Sequence, residues 1–326
     1  MNKKLVAYIL SCIIIVSSFS NAFTVTANAE PAETLENTVA VDATSVPEDA
    51  QIAIDTQQLP VEQAMFDAKE VIAMDAKTGE ILYAQNAYEA LPPASMTKVM
   101  TALLTFEAIE RGQIALDTPF EVSAPAISTL KYDASYAKPR MKQGEVFNVL
   151  ELLMMTMLPS DCYACNVLAE LIAGNKENFV AMMNQRALEL GCTNTNFVNS
   201  HGYPADGHVT NAYSMALIAK EAMKYDMFKL IVSMPQAVIP ATNMCGERLL
   251  ENTNELIKPT PYYNPLVKGI KTGSSKAAGK CLVSYATLGD REIITVVMGA
   301  KEKTIDGVKI KQQFFETNRL ISMLMQ

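Results

Sequence analysis

The sequence predicts an α/β (α+β) fold in which one antiparallel sheet is flanked by helices and joined to a helical subdomain. Three observations carry this. Strand-like runs stand near both ends of a stretch of roughly 260 residues, long enough for a substantial core: 71–85 at its start, and 281–288 with 292–300 near its end. Helical runs lie between them, at 149–157, 163–173 and 178–190. A last amphipathic run, 308–325, supplies a helix to cover the sheet, and core packing explains its apolar face better than membrane anchoring.

The chain opens with Lys3-Lys4, an apolar run from Leu5 to about Phe19, and Ala27-Asn28-Ala29 before Glu30. This pattern predicts a secretory signal peptide over 1–29 with an Ala-x-Ala cleavage site. The apolar region before Cys12 is too short for a lipid-attachment signal. Residues 30–67 hold nine carboxylates (Glu30, Glu33, Glu36, Asp42, Glu48, Asp49, Asp55, Glu62, Asp67), no Lys or Arg, and frequent Pro, Thr and Ala. Such a stretch reads as an acidic disordered linker. The formal charge is -8, and removing the two leader lysines makes it -10 (-8 minus 2), which disfavours nucleic-acid binding. The catalytic domain is then expected over 68–326.

In that domain the run Val71-Ile-Ala-Met-Asp75 and the run Glu80-Ile-Leu-Tyr83 flank Lys77-Thr78-Gly79, which is turn chemistry and predicts a hairpin. Leu91-Pro92-Pro93-Ala94 leads into Ser95, and Met96 to Arg111 is helical in character and closed by Gly112. Ser95-Met-Thr-Lys98 is a Ser-x-x-Lys pattern. On a helix, residues i and i+3 share a face, so the amine can reach the hydroxyl. Serine needs such a base to attack a carbonyl. A lysine amine titrates near 10.4 and can act as base only when desolvation or another cation lowers its pKa; Lys271 is the candidate cation. The same pattern recurs at Ser128 to Lys131 and Ser135 to Lys138, but both copies fall in 123–140, where Pro125, Pro139 and scattered Tyr predict an irregular loop.

Ser160-Asp161-Cys162 stands between two helical runs, and Lys271-Thr272-Gly273 follows the apolar run Leu266-Val-Lys-Gly-Ile270. The latter reads as a sheet edge along which a substrate backbone can lie.

Together with Asn199-Ser200-His201-Gly202-Tyr203, Glu251-Asn252-Thr253-Asn254 and Gly269-Ile-Lys-Thr-Gly-Ser-Ser275, these patterns resemble the penicillin-recognising serine D-alanyl-D-alanine carboxypeptidases, the low-molecular-mass penicillin-binding proteins. The likeness runs from about Val71 to the C-terminus. It implies a β-lactamase/transpeptidase-like fold. It also implies removal of the terminal D-alanine from peptidoglycan stem pentapeptides through an acyl-enzyme on Ser95.

On that resemblance Lys98 activates Ser95, Ser160 relays the proton to the leaving amine, and Lys271 with Thr272 and Gly273 binds the terminal carboxylate. The N–H groups of Ser95 and Ser274 would form an oxyanion hole, worth roughly 2.7 to 4 kcal/mol per donor. The family's middle pattern ends in Asn, and Cys162 stands in its place among the substrate-binding residues. A thiol is a weak donor and acceptor, so a working but slower or specialised enzyme is expected. Cys162 as a nucleophile is disfavoured, since neither His201 nor His208 is near it in sequence. His201 is expected to have a structural role in its loop.

No cofactor or metal is expected. Removing the leader's Cys12 leaves an odd number of cysteines, five, which implies no complete disulfide framework, and Cys162-x-x-Cys165 lacks a second ligand pair for zinc. The implied partners are the peptidoglycan stem peptide and β-lactams as acylating inhibitors, on the outer side of the cytoplasmic membrane, secreted or in the cell envelope. The chain ends 53 residues after Gly273 (326 minus 273), so neither the family's frequent second domain nor a C-terminal membrane anchor is expected. Two alternatives compete. A serine β-lactamase of class A uses a dedicated Glu for deacylation, and 191–211 has none. A penicillin- or peptidoglycan-binding sensor would be expected to have lost Ser95 or Lys98 as well.

Overall fold

The hairpin expected at the start of the domain is present: β1 (Glu70–Asp75) returns as β2 (Ile81–Gln85), with Val71 opposite Gln85. The Asp75 carboxylate accepts the N–H groups of Lys77 at 2.9 Å and Thr78 at 2.8 Å, which makes Lys77-Thr78-Gly79 a side-chain-braced turn. The computed structural model describes residues 66–128, 130, 134–305 and 307–326. The expected leader, and the expected linker up to residue 65, lie outside the described residues.

β1 also pairs antiparallel with β9 (Arg291–Ala300), which pairs with β8 (Gly279–Leu288), which pairs with β7 (Val267–Ser275). The five-stranded sheet therefore runs β2-β1-β9-β8-β7, with the first strands beside the last and β7 at one edge. Period-two alternation assigns its faces. Val71, Ala73, Ile293 and Val297 point to one side, where Leu320 of the C-terminal helix packs with them. Ile72, Met74, Ile294, Val296 and Met298 point to the other and join the helical core. Both faces are buried, at roughly 1.5 to 3 kcal/mol for each fully buried aliphatic side chain.

The helical part is built around α1 (Lys98–Glu110), whose residues from Lys98 to Phe106 are all buried. α2 is a five-residue helix (Ala124–Ser128) that begins at a Ser123 hydroxyl accepting the Ala126 N–H. It corrects part of the irregular loop expected over 123–140: Pro125 sits in the first helical turn, where its missing N–H costs nothing. α3 (Val149–Met157) has a reciprocal capping box between Asn148 and Glu151, and α4 (Cys162–Ala173) starts at an Asp161 cap and stops at left-handed Gly174. α5 (Lys176–Glu189), α6 (Ala212–Ala222) and α7 (Asp226–Ser233) complete it.

Three small antiparallel pairs frame the body: β3 (Pro119–Glu121) with β4 (Val146–Asn148), β5 (Gln236–Ile239) with β6 (Arg248–Glu251), and β10 (Lys303–Ile305) with β11 (Val308–Ile310). A fully buried Arg248–Glu145 ion pair at 2.7 Å ties β6 to the segment before β4.

The last helix, α8 (Gln312–Leu324), is shorter than the expected 308–325. Val308–Ile310 instead returns on Lys303–Ile305 around Gly307 at φ 79°; Asp-Gly is a hairpin signal that outweighs the apolar period at the helix start. α8 buries Phe314, Leu320 and Ile321 on the sheet, as the core-packing expectation held. Among the described residues no helix is long and apolar enough to cross a membrane. Phe66 and Ala68 already pack on this layer, and the Asp67 and Ala68 N–H groups donate to the Glu316 carboxylate at 3.0 Å.

Candidate active site

Ser95 lies in a 3₁₀ turn (Ala94–Thr97), and Lys98 is the first α-helical residue after it. The expectation of a continuous helix is thus corrected in detail, and the correction strengthens the contact, because residues i and i+3 eclipse in a 3₁₀ turn. Lys98 Nζ donates to Ser95 Oγ at 3.1 Å, to Cys162 Sγ at 3.4 Å and to the His201 carbonyl at 2.6 Å. The Lys98 side chain is fully buried, whereas Ser95 is half-exposed.

The middle pattern approaches from the start of α4. Ser160 has φ 67°, in the left-handed region that non-glycine residues rarely occupy, and among the described residues its buried Oγ has no hydrogen-bond partner. A strained residue with an unpaired hydroxyl is the kind of outlier that marks functional positions. Its conformation is held from both sides. The Ser135 hydroxyl donates to the Ser160 carbonyl at 2.5 Å and lies 3.3 Å from Cys162 Sγ, and the Ser135 carbonyl accepts the Cys162 N–H at 2.9 Å. Asp161 accepts N–H groups from Ala137 at 2.7 Å and Tyr163 at 2.7 Å. Burial pushes the Asp161 carboxyl up to about 6, against the pull of these N–H groups and the Lys98 charge.

Lys271, Thr272 and Gly273 lie on edge strand β7, with Gly273 opposite Cys281. Lys271 is buried, and its Nζ donates to the Thr272 carbonyl at 3.1 Å. Burial first, and the Lys98 charge second, push its amine down to about 7. Thr272 Oγ1 lies 2.6 Å from Thr253 Oγ1, and the Thr253 N–H donates to the Leu158 carbonyl at 3.1 Å, which fixes that loop across the cleft. A Cβ on Gly273 would stand 2.8 Å from the Pro93 carbonyl oxygen and 3.3 Å from Ala94 Cβ. Glycine is therefore required here by the approach of the Ser95 turn, and the strand continues past it to exposed Ser274 and half-buried Ser275.

Ser95, Cys162 and the His201 carbonyl thus surround the Lys98 amine, with Ser160 two residues before Cys162, while Lys271, Thr272, Gly273 and Ser274 form the strand beside the Ser95 turn. His201 keeps the loop role expected of it: its Nδ1 accepts the Tyr203 N–H at 3.1 Å, and its carbonyl, not its ring, takes the Lys98 amine. Burial and then the Lys98 charge hold the ring well below its usual pKa. Ser135, Asp161, Thr253, Thr97 and His208 are given no site role by the sequence, although Thr97, Asp161 and Thr253 lie inside the quoted patterns and Asp161 also carries a cap signal at the opening of a helical run. Cys162, Cys165, Cys192, Cys245 and Cys281 are all free thiols, and burial pushes Cys165 up to about 12, so Cys162-x-x-Cys165 has an inert second member.

Residues 57–302 match the family described as D-alanyl-D-alanine carboxypeptidase. D-alanyl-D-alanine carboxypeptidase DacF of Bacillus subtilis (strain 168) is 37% identical over 234 residues, 72% of this chain and 58% of the relative. This chain therefore spans about three fifths of that relative's length. Among solved structures, a peptidoglycan synthesis regulatory factor of Streptococcus pneumoniae has a TM-score of 0.70 at 30% identity, covering 79% of this chain and 71% of that one. A DD-transpeptidase from Streptomyces has a TM-score of 0.70 at 26% identity, covering 80% of this chain and 98% of that one.

Proposed function

Because the chain belongs to the D-alanyl-D-alanine carboxypeptidase family, we propose that it removes the terminal D-alanine from peptidoglycan stem pentapeptides through an acyl-enzyme on Ser95. The observation that carries this is the buried Lys98 amine 3.1 Å from the half-exposed Ser95 hydroxyl. Ser95 Oγ attacks the carbonyl between the two D-alanines as Lys98 takes its proton. The Ser160 hydroxyl, without a partner among the described residues, is available to pass a proton to the leaving D-alanine amine. N–H groups of Ser95 and Ser274 stabilise the oxyanion. Water then releases the shortened peptide. β-Lactams acylate the same serine.

Lys271 and Thr272 bind the terminal carboxylate, with the Thr253 hydroxyl completing the cradle. A pH prediction follows. The free Lys271 amine titrates at about 7, so its charged fraction falls as pH rises through that value. KM for a carboxylate-ended peptide should rise by up to about fivefold between pH 7 and 8. A peptide capped as the amide should show no such rise, and steady-state kinetics on the pair checks this.

In place of the Asn of the family pattern, Cys162 gives Lys98 only a thiol contact at 3.4 Å. Cys162→Asn should raise turnover by about one to two decades. Initial-rate measurement decides, and an unchanged or lower rate counts against this assignment.

A class A β-lactamase is disfavoured by the group that loop 191–211 offers to the catalytic amine, which is the His201 carbonyl at 2.6 Å and not a carboxylate. The proposal extends to the setting: the family acts on peptidoglycan, so the enzyme works in the cell envelope, outside the cytoplasmic membrane, after export by the expected signal peptide. D-alanine release from a pentapeptide ending in D-Ala-D-Ala tests the activity. Release, with slow loss of a penicillin adduct, is expected; rapid penicillin turnover without D-alanine release would overturn the reading in favour of a β-lactamase.

A further inference from the structure

The bend that presents Ser95 is unusual in its backbone. Ala94 has φ 47°, a left-handed conformation that costs an L-residue roughly 1 to 2 kcal/mol. Its carbonyl oxygen is packed so tightly against Gly202 that a Cβ there would stand 1.8 Å from it. The Thr97 hydroxyl donates to that same carbonyl at 2.9 Å. Thr97 Oγ1 lies 2.8 Å from Nε2 of His208, a residue 111 positions later in the chain. His208 Nδ1 accepts the Val198 N–H at 2.9 Å.

These bonds assign the proton positions. With Nδ1 accepting, the neutral ring carries its hydrogen on Nε2 and donates it to Thr97 Oγ1. That leaves the Thr97 hydrogen for the Ala94 carbonyl, so every donor in the chain has a defined direction. Thr97 and His208 are both buried. Burial, and then the charge of Lys98, push the His208 ring down to about 4, so it is neutral at physiological pH.

We propose that His208 and Thr97 are positioning residues for the nucleophile: the bonds from Val198 N–H through His208 and Thr97 to the Ala94 carbonyl hold the strained bend that aims Ser95 Oγ at Lys98. Their hydrogen bonds go to the Ala94 carbonyl and the Val198 N–H, and that of Ser95 Oγ goes to Lys98. Without the Thr97 hydroxyl, the Ala94 peptide is free to relax toward the right-handed region, turning Ser95 away from the amine. Displacements of about 1 Å at a reacting centre can cost on the order of 10²-fold in rate.

This inference rests on Ser95 being the nucleophile. Its test is single-turnover acylation of the full chain by a chromogenic β-lactam, separating the dissociation constant from the acylation rate constant. Melting temperature is measured in parallel, and rates are normalised to folded protein. Thr97→Val keeps the shape and removes the hydroxyl; it should lower the acylation rate constant by about 10- to 100-fold with little change in the dissociation constant. Thr97→Ser should restore most of the rate, and His208→Phe should reproduce the Val effect. Thr97→Ala serves as the variant if Thr97→Val does not fold, with the same expectation.

An acylation rate unchanged in Thr97→Val despite a lower melting temperature would overturn the proposal, as would Thr97→Ser behaving like Thr97→Val. If the wild-type protein itself is not acylated, the nucleophile assignment fails; if it is acylated and Thr97→Val matches it, only the positioning role fails.

Discussion

Ser95→Ala will reduce D-alanine release by on the order of 10⁶-fold, the scale on which removing the nucleophile acts in a serine protease. The expectation follows from what Ala leaves behind. Lys98, the Ser160 hydroxyl and the β7 edge remain, but no atom at position 95 can form the acyl bond. Stability should change little, because Ser95 is half-exposed and, among the described residues, its hydroxyl bonds only to the Lys98 amine. Release assays on protein of matched melting temperature check both parts. Residual release above about one part in a hundred would mean that another nucleophile carries the reaction.

The second large effect is at Lys98. Lys98→Met keeps the length of the side chain and removes every N–H, so the Ser95 hydroxyl loses its base and acylation should slow by about 10²- to 10⁴-fold. The stability cost is bounded by opposing effects. The buried His201 carbonyl loses its 2.6 Å donor, at roughly 1 to 3 kcal/mol, while the cost of burying a polar amine is relieved. The Lys98 charge helps to hold the Lys271 amine down to about 7, so removing it lets that amine rise. The pH at which KM for a carboxylate-ended peptide begins to climb should therefore move upward in Lys98→Met. Acylation rates and a KM profile against pH check the two consequences, and a downward move of the KM break would contradict the charge coupling.

The legible parts of this protein were those whose chemistry is local in the chain. Ser95 and Lys98 are three residues apart, so a turn of helix brings them together whatever the rest of the fold does. Asp75 to Glu80 has turn chemistry of its own, and that distinguished the first Lys-Thr-Gly from the second. Sheet order was legible because strands at both ends of the domain must pair with something, and both faces of β1 and β9 had to be covered.

Contacts between distant segments were not legible. Ser135 belonged to a decoy copy of Ser-x-x-Lys in an apparent loop, yet that loop is strapped across Ser160 and Cys162. Gly273 was expected to make room for a substrate backbone, and the close neighbour it accommodates is the Pro93 carbonyl. His208 carried no motif at all, because its partner Thr97 lies 111 residues away. The Ser160 conformation, at φ 67°, is likewise a product of packing that no spacing announces.

Acylation at Ser95 is the claim on which the rest depends, and peptide mapping after a short exposure to penicillin tests it most directly. Cleavage after Lys77 and Lys98 gives a peptide, Thr78 to Lys98, in which Ser95 is the sole serine. The expected result is one penicilloyl mass on this peptide, absent in Ser95→Ala and lost slowly on dilution. An unmodified Thr78 to Lys98 peptide, or an adduct found instead on the segment carrying Ser160 and Cys162, would contradict it.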